Sequence, residues 1–321
     1  MRKDIDIVAL GELLIDFAES GTSENGNSLL EVCPGGAPCN MLAMAKKLGK
    51  EVAFIGKVGR DNFGNLLRSV LQDVGINDEG LAVDEEIPTT LAFVHTLEDG
   101  DREFSFYRNP GADMMLRPED IKTDLIERAK VFHFGTLSMT DENVKAATVK
   151  ALETAKNAGC IISFDPNLRP PLWDDLEKAK EAMRLGFEYC DVLKIADNEI
   201  QFISGVSDYD EGIQMLIEEY DIPLILLTLG KEGSTAYYKG MRVNVPGYKV
   251  NTIETTGAGD SFCGSTVSQV IDRGLDNLTQ NDLREMLTLS NGAAAIVTTR
   301  KGAIRSMPEL EEIKELQLAS K

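Results

Sequence analysis

Short runs of apolar residues recur along the chain, separated by longer stretches in which apolar residues return every three or four positions. Residues 5–10 form a β-branched run closed by Gly11, the pattern of a buried strand. Residues 40–48 carry helical spacing closed by Gly49, and 51–56 read as the next strand. Further strands are expected at 131–134, 160–164, 192–195 and 224–228, with helices at about 141–157, 176–187 and 208–219 between them. Residues 282–297 read as a helix near the end of the chain. Strands that alternate with helices predict an α/β fold: a doubly wound, mostly parallel sheet with helices on both faces.

One region breaks the alternation. Thr89 to Arg108 holds two strand-like runs around Asp99-Gly100, a pair that favours a tight hairpin because both turn residues need positive φ. With Leu13–Phe17 and Ser28–Val32 it predicts a small separate β-sheet. Repeats, low-complexity tracts and long linkers are absent from the sequence. The expectation is a single domain over 1–321, with a small β lid built from about 12–33 and 88–110.

Charge narrows the choice of partners. The net charge is −20 and the pI about 4.6, a field that repels nucleic acid and anionic membranes. A nucleotide ligand would need local positive groups or a metal. No apolar run approaches the roughly 20 residues that span a bilayer, and the first residues lack the pattern of a signal peptide. A cytoplasmic location is expected. The five cysteines are irregularly spaced, and the two histidines, His95 and His133, have no neighbour at ligand spacing. Neither a disulfide framework nor a zinc site is indicated.

Two stretches carry chemistry. Glu254 to Phe262 reads Glu-Thr-Thr-Gly-Ala-Gly-Asp-Ser-Phe and opens a helix. Gly257, Ala258 and Gly259 allow a ligand close to the backbone, and a helix N-terminus favours an anion. Asp260 falls in the first helical turn. On these residues alone, Asp260 serves equally well as a helix cap beside a tight turn. The spacing fits neither the dinucleotide fingerprint nor the P-loop. The second stretch, Pro34 to Asn40, places two glycines before a helix. Asn40 offers both donor and acceptor groups, which suit a polyhydroxy ligand or a simple cap.

Together the two stretches resemble the paired signatures of the PfkB-type sugar kinases, which include ribokinases and fructokinases. Gly35, Gly36, Asn40, Gly49 and Gly59 match the first signature, and Thr255 to Asp260 the second. The resemblance covers nearly the whole chain. Phe106 to Asp113 and Phe164 to Pro170 are similar to fructokinases in particular, while Thr228 to Gly233 and Thr299 to Ala303 resemble nucleotide-side loops. Three positions depart from the pattern. Leu42 replaces a small residue, Glu254 replaces Asp, and Ala196 replaces the Asn of an Asn-x-x-Glu segment, leaving Glu199 as its carboxylate.

The resemblance implies a ribokinase-like fold and phosphoryl transfer from ATP to a sugar hydroxyl. It makes D-fructose the expected substrate and fructose 6-phosphate the product. Asp260 is implied as general base, with Gly257, Ala258 and Gly259 as the anion hole. Asp16, Gly36, Asn40, Arg108 and Arg169 are implied on the sugar, and Thr228, Gly230, Gly233, Asn291 and Gly302 on the nucleotide side. Glu199 is implied to orient Mg²⁺ through water, and Glu254 and Thr256 to hold a monovalent cation such as K⁺. A homodimer joined through the lid is implied, with Leu91, Phe93, Phe104 and Phe106 at the contact. Two alternatives stay open: a kinase for another sugar or a sugar acid such as 2-keto-3-deoxygluconate, and a catalytically silent sugar- or nucleotide-binding regulator.

Overall fold

The structure, a computed structural model, describes residues 2–96 and 102–320. The chain begins with β1 (Ile5–Leu10), then β2 (Leu14–Thr22), β3 (Ser28–Gly35), α1 (Ala37–Lys47), β4 (Val52–Gly59), α2 (Asn62–Val74) and β5 (Asn77–Asp84). The strands β6 (Leu91–Thr96) and β7 (Arg102–Tyr107) follow, then α3 (Thr123–Glu127), β8 (Ala129–Gly135), α4 (Glu142–Asn157), β9 (Ile161–Asp165), α5 (Leu176–Tyr189) and β10 (Val192–Ala196). The last third holds α6 (Asp197–Ser204), α7 (Tyr209–Tyr220), β11 (Leu224–Thr228), β12 (Ser234–Tyr238), β13 (Met241–Val245), α8 (Ala258–Arg273), α9 (Gln280–Val297) and α10 (Leu310–Ala319).

The described residues form a nine-stranded sheet in the order β13-β12-β11-β10-β9-β8-β1-β4-β5. Its pairings are parallel except those of β12 and β13, an antiparallel hairpin at one edge. The hairpin turns at Lys239-Gly240, both at positive φ, as a two-residue turn of this hand requires. The strand periodicity did not reveal this edge. Side-chain alternation divides the core: Val8 and Leu10 of β1 join the cluster that contains α4, α5 and α7, while Ile7 and Ala9 join α1, α2 and α9. β1 is therefore buried on both faces, which is why it reads as a continuous apolar run.

From β1 the chain first adds β4 and β5 on one side, then β8 to β11 on the other. The reversal lies between β1 and β8. Open α/β sheets bind ligands beyond the strand C-termini at such a switch point, because the connecting loops diverge there and leave a crevice.

The small sheet has the order β3-β2-β6-β7, and Leu14 and Asp16 of β2 and Phe106 of β7 border the crevice. Its strands β2 and β3 lie within Leu14–Gly35, ending two residues beyond the limit at 33 expected from the sequence, while β6 and β7 lie inside the expected 88–110. The Asp99-Gly100 turn lies outside the described residues, although β6 and β7 pair antiparallel on either side of it. Phe17 stacks on Phe93 at 4.9 Å and meets Phe63 of α2 edge-on at 5.7 Å, which roots the lid on the main body. Register separates the expected dimer residues. Phe106 pairs with Ala92, one position out of phase with Leu91 and Phe93, and it lines the cleft. Phe106 therefore belongs to the inner face and cannot share an outer contact with Leu91 and Phe93.

Candidate active site

Gly257 caps the N-terminus of α8 at φ 80°, a conformation costly for any residue with a Cβ. Asp260 follows within the first turn. There the amides of Gly259 and Asp260 have no acceptor within their own helix, and the helix dipole favours negative charge. Asn40 of α1 reaches across, and its Nδ2 donates to Asp260 Oδ2 at 2.7 Å. Its Oδ1 is buried with no hydrogen-bond partner, so an acceptor stands open beside the carboxylate. A buried unsatisfied acceptor is costly, and a ligand hydroxyl would satisfy it.

Desolvation raises the Asp260 pKa to about 6. The Asn40 bond works against that rise, Asp165 adds to it, and Lys194 and Arg169 oppose it. A carboxylate tuned in this way is still ionised at neutral pH yet more basic than usual, the property a general base needs.

The glycines before α1 are required by close approach. A Cβ on Gly36 would lie 2.4 Å from the Glu12 carbonyl oxygen, and one on Gly35 would lie 2.6 Å from Asp16 Oδ2. Glu12 fixes this turn by accepting the Ala37 N–H at 2.8 Å. Its carboxyl is buried, and desolvation lifts its pKa to about 7.

A row of polar side chains crosses the sheet beneath α8. His133 on β8 pairs in register with Ser163 on β9 and touches it, Nδ1 to Oγ, at 3.0 Å. Burial, aided by Lys194, lowers the His133 pKa to about 3 and keeps the ring neutral. Asp165 ends β9, and Lys194 of β10 lies 3.1 Å from its Oδ1.

Glu12, Gly36, Asn40, Lys194 and Asp260 border a cleft of about 930 Å³, large enough for two ligands side by side. Its lining includes Asp16, Gly36, Asn40, Arg169, Glu199, Thr228, Gly230, Gly233, Glu254, Thr256, Gly257, Ala258, Gly259, Asp260 and Asn291 among the residues singled out in the sequence. Two others fall elsewhere. Arg108 is buried in an ion pair with Asp113 at 2.7 Å, donates to Thr140 Oγ1 and the Leu137 carbonyl, and does not line the cleft. Its guanidinium ties the lid root to the loop after β8 instead of facing a ligand. Gly302 also lies off the cleft lining and donates its N–H to Glu254 Oε2.

Three further residues line the cleft with their polar groups already engaged. The Asn291 amide is buried, accepting from Ser234 Oγ and donating to the Val245 and Pro246 carbonyls, which bolts α9 to the edge hairpin. Glu199 accepts the N–H groups of Ala196 and Leu168, so its carboxylate caps α6 and holds the loop after β9. Glu254 accepts the Thr256 hydroxyl with its other oxygen, joining two turns that meet beside α8.

Glu12, Asp165 and Lys194 escaped the reading of the sequence as site residues. A signal was present for Lys194: a lysine inside an otherwise apolar buried strand must have a partner. The partner, 29 positions earlier, is visible only in three dimensions.

The fold and the site together define a sugar-phosphorylating enzyme: the chain belongs to the pfkB family of carbohydrate kinases, whose profile matches residues 4–310. Among its relatives, fructokinase-2 of Solanum lycopersicum is 42% identical over 311 residues, covering 95% of this chain and 94% of the relative. A fructokinase from Xylella fastidiosa with bound ATP superposes with a TM-score of 0.89 at 30% identity over 100% of both chains. A double mutant of the fructokinase from Vibrio cholerae O395, in a form with bound fructose, ADP and potassium ion, gives a TM-score of 0.86 at 28% identity, covering 98% of this chain and 99% of that one.

Proposed function

We propose that this kinase transfers the γ-phosphoryl group of ATP to fructose, giving fructose 6-phosphate, with Asp260 as general base. The observation that carries the reading is the meeting of Asp260 and Asn40 at the first turn of α8. A base, an open acceptor and unpartnered helix amides converge there. Fructose and ATP as substrates rest on the relatives named above.

In this mechanism the sugar lies against Asp16, Gly36, Asn40 and Arg169, and the nucleotide along Thr228, Gly230 and Gly233. Asp260 takes the proton of the attacking hydroxyl as its oxygen bonds to the γ-phosphorus and the bond to the bridging oxygen breaks. ADP then departs. The amides of Gly257 and Gly259 stabilise charge on the transferring group, joined by that of Ala258 once it leaves the Thr255 carbonyl to which it donates at 3.3 Å, electrostatic work that needs no covalent chemistry from the protein. No cluster of three or more His, Cys, Asp or Glu side chains fit to hold a metal occurs among the described residues. Mg²⁺ brought in with the nucleotide phosphates would neutralise their charge, and Glu199 would orient its water shell. Glu254 and Thr256 form the side of the site where K⁺ would bind, and they already bond to each other.

A sugar acid would need a cation for its carboxylate. With Arg108 engaged by Asp113, that role falls to Arg169, whose guanidinium donates only to the Leu168 carbonyl among the described residues. A silent regulator is disfavoured because nothing would maintain a tuned carboxylate in the cleft. ADP release measured over fructose, glucose, ribose and 2-keto-3-deoxygluconate separates the three readings. The expected result is fructose-dependent release with a product that ³¹P NMR assigns to the 6-position. Turnover of the acid alone, or of no sugar, overturns the reading.

A further inference from the structure

The cleft is acidic. Glu12, Asp16, Asp197, Glu199, Glu254 and Asp260 all line it, against Lys194 and Arg169 as its only basic side chains among the described residues. A polyphosphate entering such a cleft needs cationic help close to the transferring group. Lys194 lies against the first turn of α8, beside Asp260. Strand alternation sends Leu193 and Ile195 into the core on one face and turns Lys194 to the other, beneath α8. A Cβ built on Gly259 would lie 3.1 Å from Lys194 Nζ, so the ammonium sits directly against the first turn of α8.

The residue is 5% exposed, and its single hydrogen bond among the described residues goes to Asp165 Oδ1 at 3.1 Å. An ammonium carries three donors. Two of them have no protein acceptor, although the group borders the cleft. For a buried lysine this is a costly arrangement unless a ligand completes it. Asp165 is itself held in place, since its Oδ1 also accepts the Asn167 N–H at 3.1 Å.

We propose that Lys194 is a catalytic residue whose ammonium hydrogen-bonds the phosphoryl group during its transfer, and that Asp165 is the positioning residue that aims it. The inference rests on the phosphoryl-transfer reading above. In the step, the bond between γ-phosphorus and bridging oxygen breaks, the sugar oxygen bonds to phosphorus, and the hydroxyl proton goes to Asp260. Lys194 keeps all its protons and supplies charge only. Burial disfavours that charge, but Asp165, Glu199 and Asp260 outweigh the burial and raise its pKa, so the ammonium persists through the working range. A lysine that merely neutralised Asp165 would not discriminate between a nucleoside diphosphate alone and a diphosphate carrying a transferring group.

The test uses the full chain with MgADP, fluoroaluminate as mimic of the phosphoryl in flight, and fructose. Lys194→Met is expected to lower kcat by roughly 10²–10³, to keep MgADP affinity within about threefold, and to lose the fluoroaluminate-dependent tightening of ADP. Lys194→Arg is expected to recover part of it, and Asp165→Asn to weaken the tightening less than Lys194→Met. Should Lys194→Met fold poorly, the doubly neutral pair Asp165→Asn/Lys194→Met supplies the same measurement without a buried lone charge. Wild-type kcat or wild-type tightening in the Met variant, or in the pair, overturns the role of Lys194. A wild type that phosphorylates no sugar refutes the parent reading instead. The fluoroaluminate arm still decides Lys194 in that case.

Discussion

The side-chain amide of Asn40 donates to the Asp260 carboxylate across 220 positions of sequence, joining the first turn of α1 to the first turn of α8. The two helices that carry the site are thereby locked at the point where chemistry is expected. Replacing Asp260 with Asn preserves this shape and removes the proton acceptor. The expected loss in kcat is on the order of 10²–10⁴, with MgATP affinity retained. Near-normal turnover would end the assignment of Asp260 as base.

Burial of Asp260 sets the pH response, and the Asn40 bond moderates it. Asp260 must be ionised to accept a proton, and its pKa stands at about 6. Activity is therefore expected to fall as pH drops through that value, and kcat/KM measured from pH 5 to 8 locates the limb. The Asn40 bond lowers the pKa, so Asn40→Ala should move the limb to higher pH while weakening sugar binding. An unmoved limb in that variant would mean that another group controls it.

Glu12 leads to a stability prediction. Its folded pKa is raised from 4.5 to about 7, mainly by desolvation. The stability that the neutral carboxyl allows is fully present below about 4.5 and is lost as pH rises through 7. Above that pH the buried charge costs on the order of 3 kcal/mol. Glu12→Gln keeps an oxygen for the Ala37 N–H and carries no charge, so its advantage in unfolding free energy over the wild type should grow between pH 5 and pH 8. Urea unfolding at both values measures it, and a gap that does not change with pH contradicts it.

The outer face of the lid carries Phe17, Phe93, Val32 and Leu30 in one register, with Val32 41% and Leu30 42% exposed. We propose that two copies meet through this face, without Phe106. Light scattering at micromolar concentration should give the mass of a dimer, and Leu30→Lys with Val32→Lys the mass of a monomer. A monomeric wild type would refute the contact.

Glu254 bears on cation dependence. Its carboxylate bonds both the Thr256 hydroxyl and the Gly302 N–H, so the two turns beside the anion hole are joined without an ion. Activation by potassium is therefore expected to be present but weak, measured against tetramethylammonium at equal ionic strength. Glu254→Asp shortens the reach, loosens that link and should sharpen the dependence. Indifference of both forms to potassium would show that these turns hold no cation.

Much of the architecture was written in the chain itself. Parallel strands buried on both faces demand continuous apolar runs, and helices demand apolar residues at helical spacing, so both types of element are visible locally. Asp260 and Asn40 stood out as candidates for a related reason, although only the family resemblance gave them roles. Each sits beside glycines that the backbone needs for close approach, and glycines at fixed offsets leave a local trace. The antiparallel edge at β12 and β13 was not visible, because short apolar strands look alike whichever way they pair. Tertiary structure alone decided which polar groups face a ligand and which face one another. Arg108 and Asn291 have the chemistry of ligand-binding residues, yet Asp113 claims the first and Ser234 with two carbonyls the second. Lys194 looks like an anomaly within a strand until Asp165 and the first turn of α8 come to lie beside it. The sequence determines which residues can hydrogen-bond. Their partners depend on distances between segments far apart in the chain, and only packing sets those distances.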